Sequence, residues 1–249
     1  MNNSNPGALS RSLNVVVTGA SRGIGKAIAG IFAANGHNLY LTSRSDVALY
    51  KATEELITEY PRVIIKAKPF DLSIRERAQQ FGSWCLQQAV PDILVNNAGL
   101  FEPGSSFNEP DGQLESQLAT NLYSAYYLTR RLLPKMIEST REDRFNRHVF
   151  NMCSIASLGA YPNGGAYSIS KFALYGFSKN LREEMKEYGI KVTAILPGAV
   201  MTDSWGSYDN STQRIMEASD IAKIVFAASQ LSMQACVEEI IIRPQQGDL

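Results

Sequence analysis

The sequence predicts an α/β protein built on a doubly wound parallel sheet of about seven strands, with helices on both faces. Three observations predict it. Short β-branched runs alternate with longer amphipathic stretches along the 249 residues. Those runs are nearly continuous in apolar residues, as strands covered on both faces are. A glycine-rich turn closes the first run and opens the first helical stretch, where an open parallel sheet builds its anion-binding turn.

Taken in order, residues 1–12 are polar, hold Pro6 and Gly7, and read as a flexible N-terminal arm. The strand candidates are Asn14–Val17, Asn38–Thr42, Val63–Lys68, Ile93–Val95, His148–Met152, Lys191–Leu196 and Val237–Ile242. Helical periodicity fills the gaps. Ile24, Ile28, Ile31 and Phe32 form one stripe, and Phe81, Trp84, Cys85 and Gln88 another. Leu118, Leu122 and Tyr126 begin a third that continues towards Leu132 and Met136. No internal repeat, low-complexity block or linker divides the chain, so residues 13–249 read as one domain.

Composition excludes several chemistries. The 24 Lys and Arg balance 24 Asp and Glu, so net charge gives no reason to expect nucleic acid or an anionic membrane as partner. His37 and His148 lie far apart and form no metal-ligand pair. Cys85, Cys153 and Cys236 are odd in number, widely spaced and without a CxxC pair, which suits a reducing compartment and argues against zinc or disulfides. No stretch approaches the roughly 18–20 apolar residues that span a bilayer. The first apolar run, Leu13 to Val17, is too short for a signal-peptide core, so the expected location is the cytoplasm.

The turn Thr18-Gly19-Ala20-Ser21-Arg22-Gly23-Ile24-Gly25 carries the first functional signal. Glycines there permit a tight turn, backbone approach to a pyrophosphate and close helix–strand packing, while the helix N-terminus offers free N–H groups. In such a fold, the end of the second strand decides the cofactor. An acidic residue takes the ribose hydroxyls, whereas an arginine accommodates a 2′-phosphate. This strand ends Leu41-Thr42-Ser43-Arg44, which points to NADP(H). Asp46 is the rival signal, but its place after Ser43-Arg44-Ser45 suits the start of a helix.

Tyr167 and Lys171 are four residues apart, hence on one face of a helix. An ammonium beside a phenol is expected to lower the tyrosine pKa, poising it to protonate a carbonyl oxygen or to take a hydroxyl proton. The same spacing also occurs on ordinary amphipathic helices, with the tyrosine packed and the lysine in solvent.

The glycine turn, with its Gly-x-x-x-Gly-x-Gly spacing, resembles that of the short-chain dehydrogenase/reductase family, a Rossmann-type fold. Further segments match the family in order: Asp71-Leu72, Asn96-Asn97-Ala98-Gly99, Asn121, Ser154, the Tyr167-x-x-x-Lys171 pair, and Pro197-Gly198 followed by Thr202. The resemblance spans Leu13 to Arg243. It implies a catalytic set of Asn121, Ser154, Tyr167 and Lys171, with Ser154 steadying the developing alkoxide and Asn121 holding a water that relays protons to the lysine. It also implies a cofactor lying along Gly19, Ser21, Arg22, Gly23, Ile24, Gly25, Ser43, Arg44, Asp71, Leu72, Asn97, Ala98, Gly99, Tyr167, Lys171, Pro197, Gly198, Val200 and Thr202. In similar reductases Arg22 faces the same phosphate as Arg44.

The family builds its substrate lid after Pro197-Gly198, here about residues 199–217. Trp205 is its most distinctive residue, and it either stacks on a flat substrate or packs the lid down. Trp205 and the tail from Val237 to Leu249 resemble the bacterial sepiapterin-reductase-like branch, which implies a pterin side-chain ketone as substrate. A 3-oxoacyl-ACP reductase is the alternative enzyme; it would need a basic docking patch, for which Arg130 and Arg131 are candidates. An NADP(H)-binding sensor without chemistry is the non-enzyme alternative. The helix carrying Tyr167 is apolar nearly all round, with Ile169, Phe172, Leu174 and Phe177, and the stretch Leu118–Leu133 is rich in tyrosine. These two are expected to form a homodimer interface, possible also within a tetramer. Cys153 reads as a buried core thiol rather than a nucleophile.

Overall fold

A computed structural model describes residues 11–143, 145 and 147–248. Alternate side chains of a strand leave it on opposite faces, and β1 (Asn14–Thr18) shows the consequence. Val15 and Val17 enter one core while Val16 enters the other, and all three are fully buried. A central strand covered on both faces takes apolar residues at successive positions, as Val15, Val16 and Val17 do.

Seven parallel strands form the sheet in the order β3-β2-β1-β4-β5-β6-β9. The flanking strands are β2 (Asn38–Thr42), β3 (Ile65–Ala67), β4 (Ile93–Asn96), β5 (Arg147–Met152), β6 (Ile190–Pro197) and β9 (Glu239–Ile242). All seven expected strands are present. The third and seventh are shorter than the apolar runs suggested, because only Ile65–Ala67 and Glu239–Ile242 find a ladder partner.

On one face α1 (Gly23–Ala34) packs beside α7 (Ala218–Ser229), with Ile28, Phe32, Ile221 and Val225 over Val15, Val17 and Leu39. α2 (Asp46–Glu59) adds Leu49 and Leu56 to the same core. On the other face α3 (Arg75–Gln88) meets α5 (Ser124–Asp143), burying Phe81, Cys85, Leu128 and Met136 against Val16, Leu94 and Val149. α6 (Gly165–Met185) adds Leu181 and Met185 to that core. Strand order reverses between β1 and β4, and the loops at their C-terminal ends separate there, leaving a crevice.

Two features depart from the sequence reading. Residues 1–10 of the expected arm lie outside the described residues, but Arg11 and Ser12 are fastened to the sheet's lower edge. Arg11 pairs with Asp92 and Asp143, and Ser12 donates to the Gly36 carbonyl at 2.8 Å. Arg11 and Ser12 are therefore held in place by these contacts, where the sequence reading put them in the arm. The segment 199–217 also carries a small parallel ribbon, β7 (Val200–Met201) with β8 (Met216–Glu217), which two-residue strands hide from any periodicity. Among the described residues no helix is long and apolar enough to cross a membrane.

Candidate active site

The crevice is a cavity of about 930 Å³. Its floor begins at the glycine turn. Gly19 and Gly23 take positive φ values of 63° and 52°, a region that disfavours side chains. Gly25 is needed for proximity instead: a Cβ there would lie 2.3 Å from the Gly19 carbonyl oxygen and 2.5 Å from Asn97 Nδ2. Thr18 organises the junction from below. Its Oγ1 accepts from the N–H groups of both Asn97 and Ala98 at 2.9 Å, while Asn97 Nδ2 donates to the carbonyls of Thr18 and Gly19. Arg22 enters α1 in extended geometry and no side chain caps the helix. The first-turn N–H groups thus remain free to meet an anion at the cavity wall.

At the far end Ser43 is buried and donates to the Ser45 carbonyl, and Arg44 stands exposed beside it. Asp46 opens α2 behind a Ser45 cap, as the helix-start reading of that residue requires. Arg22 lines the same end and pairs with Asp203 at 3.2 Å. Asp71 accepts both the N–H and the hydroxyl of Ser73 on one oxygen, Oδ1, which fixes the turn after β3. Among the described residues no group of three or more His, Cys, Asp or Glu side chains could hold a metal ion.

The opposite end gathers Ser154, Tyr167 and Lys171. Ser154 stands two residues beyond β5 and starts a 3₁₀ turn, its Oγ accepting from Ala156 N at 3.1 Å. Lys171 is buried and donates its ammonium to the Met152 carbonyl at 2.8 Å. That nitrogen lies 5.8 Å from the Tyr167 ring centroid. The expected lowering of the tyrosine pKa is not what this arrangement gives. Burial pushes Tyr167 up to about 12, opposed by a hydrogen bond with Ser154, and burial pushes Lys171 down to about 8. Burial is the largest cause for both, so each is held towards its neutral form. Cys153 is raised to about 12 by burial, so its thiol stays inert, as read from the sequence.

Asn121 sits behind this wall, not in it. The helix bearing it switches from α4 (Gln113–Leu118) to a π turn (Ala119–Tyr123) before α5. Wide turns of this kind recur at functional sites, and they explain an asparagine inside a helix. Its amide accepts from Leu100 N at 2.7 Å and donates to the Leu100 carbonyl and to Ser170 Oγ. Ser170 in turn donates to the Tyr167 carbonyl at 2.7 Å. Asn121 thus ties the strand-β4 loop to the helix of Tyr167. Gly99 lies between the two, its Cβ position 3.3 Å from Asn121 Oδ1 and 3.6 Å from Lys171 Nζ.

Every other sequence-predicted site residue lines the cavity, save Gly25, which stands behind the turn. Leu72, Ile24, Pro197, Gly198, Val200 and Thr202 are all in the wall. Trp205 packs the lid down, one of the two readings offered for it. Its indole N–H donates to the Val200 carbonyl at 2.9 Å and its ring packs on Tyr208, while the ring also faces the cavity. The sequence reading missed Phe101, Leu158 and Tyr161, which form an apolar rim with Trp205, and Phe101 packs edge-on to Tyr167 at 4.7 Å. It also missed the return of the tail. Arg214 donates to the carbonyls of Gly247 and Asp248, Arg243 pairs with Asp248, and both members of that pair line the cavity. Leu249 lies outside the described residues. Loop residues far apart in sequence carry no periodicity that would have grouped them.

A doubly wound parallel sheet with an uncapped glycine-turn helix at its switch point, and a Tyr–Lys pair across the cavity, defines the class as a dehydrogenase-type α/β protein. The chain belongs to the short-chain dehydrogenase family, whose model matches residues 13–213. A sepiapterin reductase from Chlorobaculum tepidum is 31% identical over 244 residues, covering 94% of this chain and 97% of that one. A metagenomic short-chain oxidoreductase solved in complex with NADP superimposes with a TM-score of 0.80 at 29% identity, over 94% of this chain and 97% of that one. An alcohol dehydrogenase from the archaeon Thermococcus sibiricus, complexed with 5-hydroxy-NADP, gives 0.84 at 27% identity, with the same coverage.

Proposed function

We propose that the protein is an NADPH-dependent carbonyl reductase acting on a small ketone, through Ser154, Tyr167, Lys171 and Asn121. The observation that carries the reading is the grouping of Ser154, Tyr167 and Lys171 at one end of a single cavity, with Arg22 and Arg44 at the other. The site suits a dinucleotide. The free N–H groups of α1 and the side-chain-free turn would hold its pyrophosphate, and Arg44 with Arg22 its 2′-phosphate. Asp71, Leu72, Asn97, Ala98, Gly99 and the Pro197–Thr202 stretch would line its path. The neighbours solved with NADP and 5-hydroxy-NADP support this choice.

When bound, the nicotinamide supplies the hydride. The chain supplies the proton. With its pKa held up, Tyr167 keeps its phenolic proton at neutral pH, which is the state a carbonyl reduction needs. As negative charge grows on the substrate oxygen, Tyr167 Oη passes the proton and Ser154 Oγ donates a hydrogen bond to the same oxygen. Lys171, with a pKa near 8, exchanges protons close to neutrality and restores the phenol. Asn121 holds the Leu100 loop and, through Ser170, the Tyr167 turn in register.

The rim of Phe101, Leu158, Tyr161 and Trp205 favours a flat or apolar ketone. A pterin side-chain ketone fits that description, and the sepiapterin reductase relative supports it. For the 3-oxoacyl alternative the docking candidates Arg130 and Arg131 are exposed and hydrogen-bonded to neutral neighbours, Tyr126 and Ser83, so their charge speaks neither for nor against it. The complete set of four residues speaks against a sensor that has lost its chemistry. Ile169, Phe172 and Tyr123 leave 46%, 46% and 43% of their surface exposed, and we infer that a second copy of the chain covers this face. The decisive experiment is NADPH oxidation with a panel including sepiapterin, small diketones and a 3-oxoacyl thioester. Turnover of the thioester alone would replace the ketone reading, and turnover of none would return the sensor.

A further inference from the structure

The segment between β4 and α4 behaves as a strap drawn across the start of the Tyr167 helix. Glu109 Oε2 accepts the N–H of Ala166, the residue before Tyr167, at 3.1 Å. Ala166 is fully buried, so no water replaces that acceptor. The approach is close enough to demand glycine. A Cβ on Gly165 would lie 2.4 Å from Glu109 Oε2 and 2.4 Å from the Gly104 carbonyl oxygen, and Gly104 N donates to the Asn163 carbonyl at 3.1 Å. At its other end the strap carries Phe101, whose ring packs edge-on against the Tyr167 ring. Gly164, which precedes α6, offers no side-chain cap of its own.

We propose that Glu109 is a positioning residue for Tyr167: its carboxylate fixes the first turn of α6 and holds the strap that seats Phe101 on the phenol ring. This rests on Tyr167 being the proton donor. A carboxylate at a helix N-terminus is favourable both as an acceptor and towards the helix dipole. Releasing it frees the Gly164–Ala166 turn, where two glycines resist little, and the phenol loses both its backbone anchor and its packed neighbour. Small misplacements of a reacting group lower the rate of the chemical step without weakening distant binding.

The test compares Glu109→Ala with Glu109→Gln, which keeps an acceptor oxygen. In Glu109→Ala, kcat should fall about tenfold with the NADPH dissociation constant unchanged, and Glu109→Gln should restore most of it. Amide hydrogen exchange at 165–168 should accelerate about fivefold or more in the alanine variant alone, read without substrate or cofactor. An alanine variant with unchanged kcat and unchanged exchange overturns the proposal. So does a glutamine variant as impaired as alanine. If Tyr167→Phe keeps full activity, the functional reading fails, and the exchange data still decide whether Glu109 holds the turn.

Discussion

Two alanine substitutions five residues apart on one helix should move stability in opposite directions. Gly25 and Gly30 both lie in α1, where alanine outranks glycine by about 1 kcal/mol in helix propensity. At Gly30 the nearest atom to an added methyl is Leu56 Cδ2 at 3.9 Å, an ordinary contact, so Gly30→Ala should stabilise by about 0.5–1 kcal/mol. At Gly25 the methyl would meet the Gly19 carbonyl oxygen at 2.3 Å, far inside the roughly 3.5 Å of a relaxed contact. That oxygen and Asn97 Nδ2 are hydrogen-bonded to each other, so neither retreats freely. Overpacking of this kind costs about 2 kcal/mol and a lost Asn97 hydrogen bond about 1–2, against the gain of about 1 in propensity. Gly25→Ala should therefore destabilise by about 2–3 kcal/mol, which lowers the melting temperature by roughly 5–10 °C in a chain this long. Thermal and urea unfolding of both variants measure it. A Gly25→Ala protein as stable as the wild type would refute the claim that proximity, not turn conformation, requires this glycine.

Lys171 makes stability depend on pH in a definite direction. Its folded pKa, near 8, lies below the ordinary 10.5, so between those values the unfolded chain holds a proton the folded chain has lost. Stability relative to Lys171→Met should thus rise with pH across that window, by up to about 3 kcal/mol, as read from urea midpoints; a fall would contradict burial as the cause. Arg44→Ala and Arg22→Ala should each weaken NADPH binding about tenfold or more and leave NADH binding unchanged, measured by cofactor fluorescence; an equal loss for both cofactors would remove the phosphate assignment. Phe172→Ser should shift the protein towards monomer in sedimentation at micromolar concentration, and a wild type already monomeric would dismiss the second copy.

Much of this molecule is legible in its sequence because a two-sided parallel sheet writes its central strands as largely apolar runs. Asn14–Val17 and Asn38–Thr42 are readable for that reason, and the glycine turn because backbone geometry restricts what can stand there. Asn121 is a poor helix former set between Thr120 and Leu122, and the π turn accounts for it. The Tyr167–Lys171 spacing gave the neighbours but not their electrostatics, since burial is decided by the surrounding loops and reverses the expected shift of the tyrosine. Phe101, Tyr161 and Asp248 come from three separate loops, and only the folded chain brings them to one wall. Glu109 is hidden for the same reason: its partner is a backbone N–H 57 residues away.

The account stands most directly on a labelled transfer. The protein is supplied with NADPH carrying deuterium at the transferable position of the nicotinamide, together with a turned-over ketone, and the alcohol product is weighed. The account predicts one deuterium on the carbinol carbon, formed about a hundredfold or more slowly by Tyr167→Phe. An unlabelled product, or equal rates from the wild type and Tyr167→Phe, would contradict it.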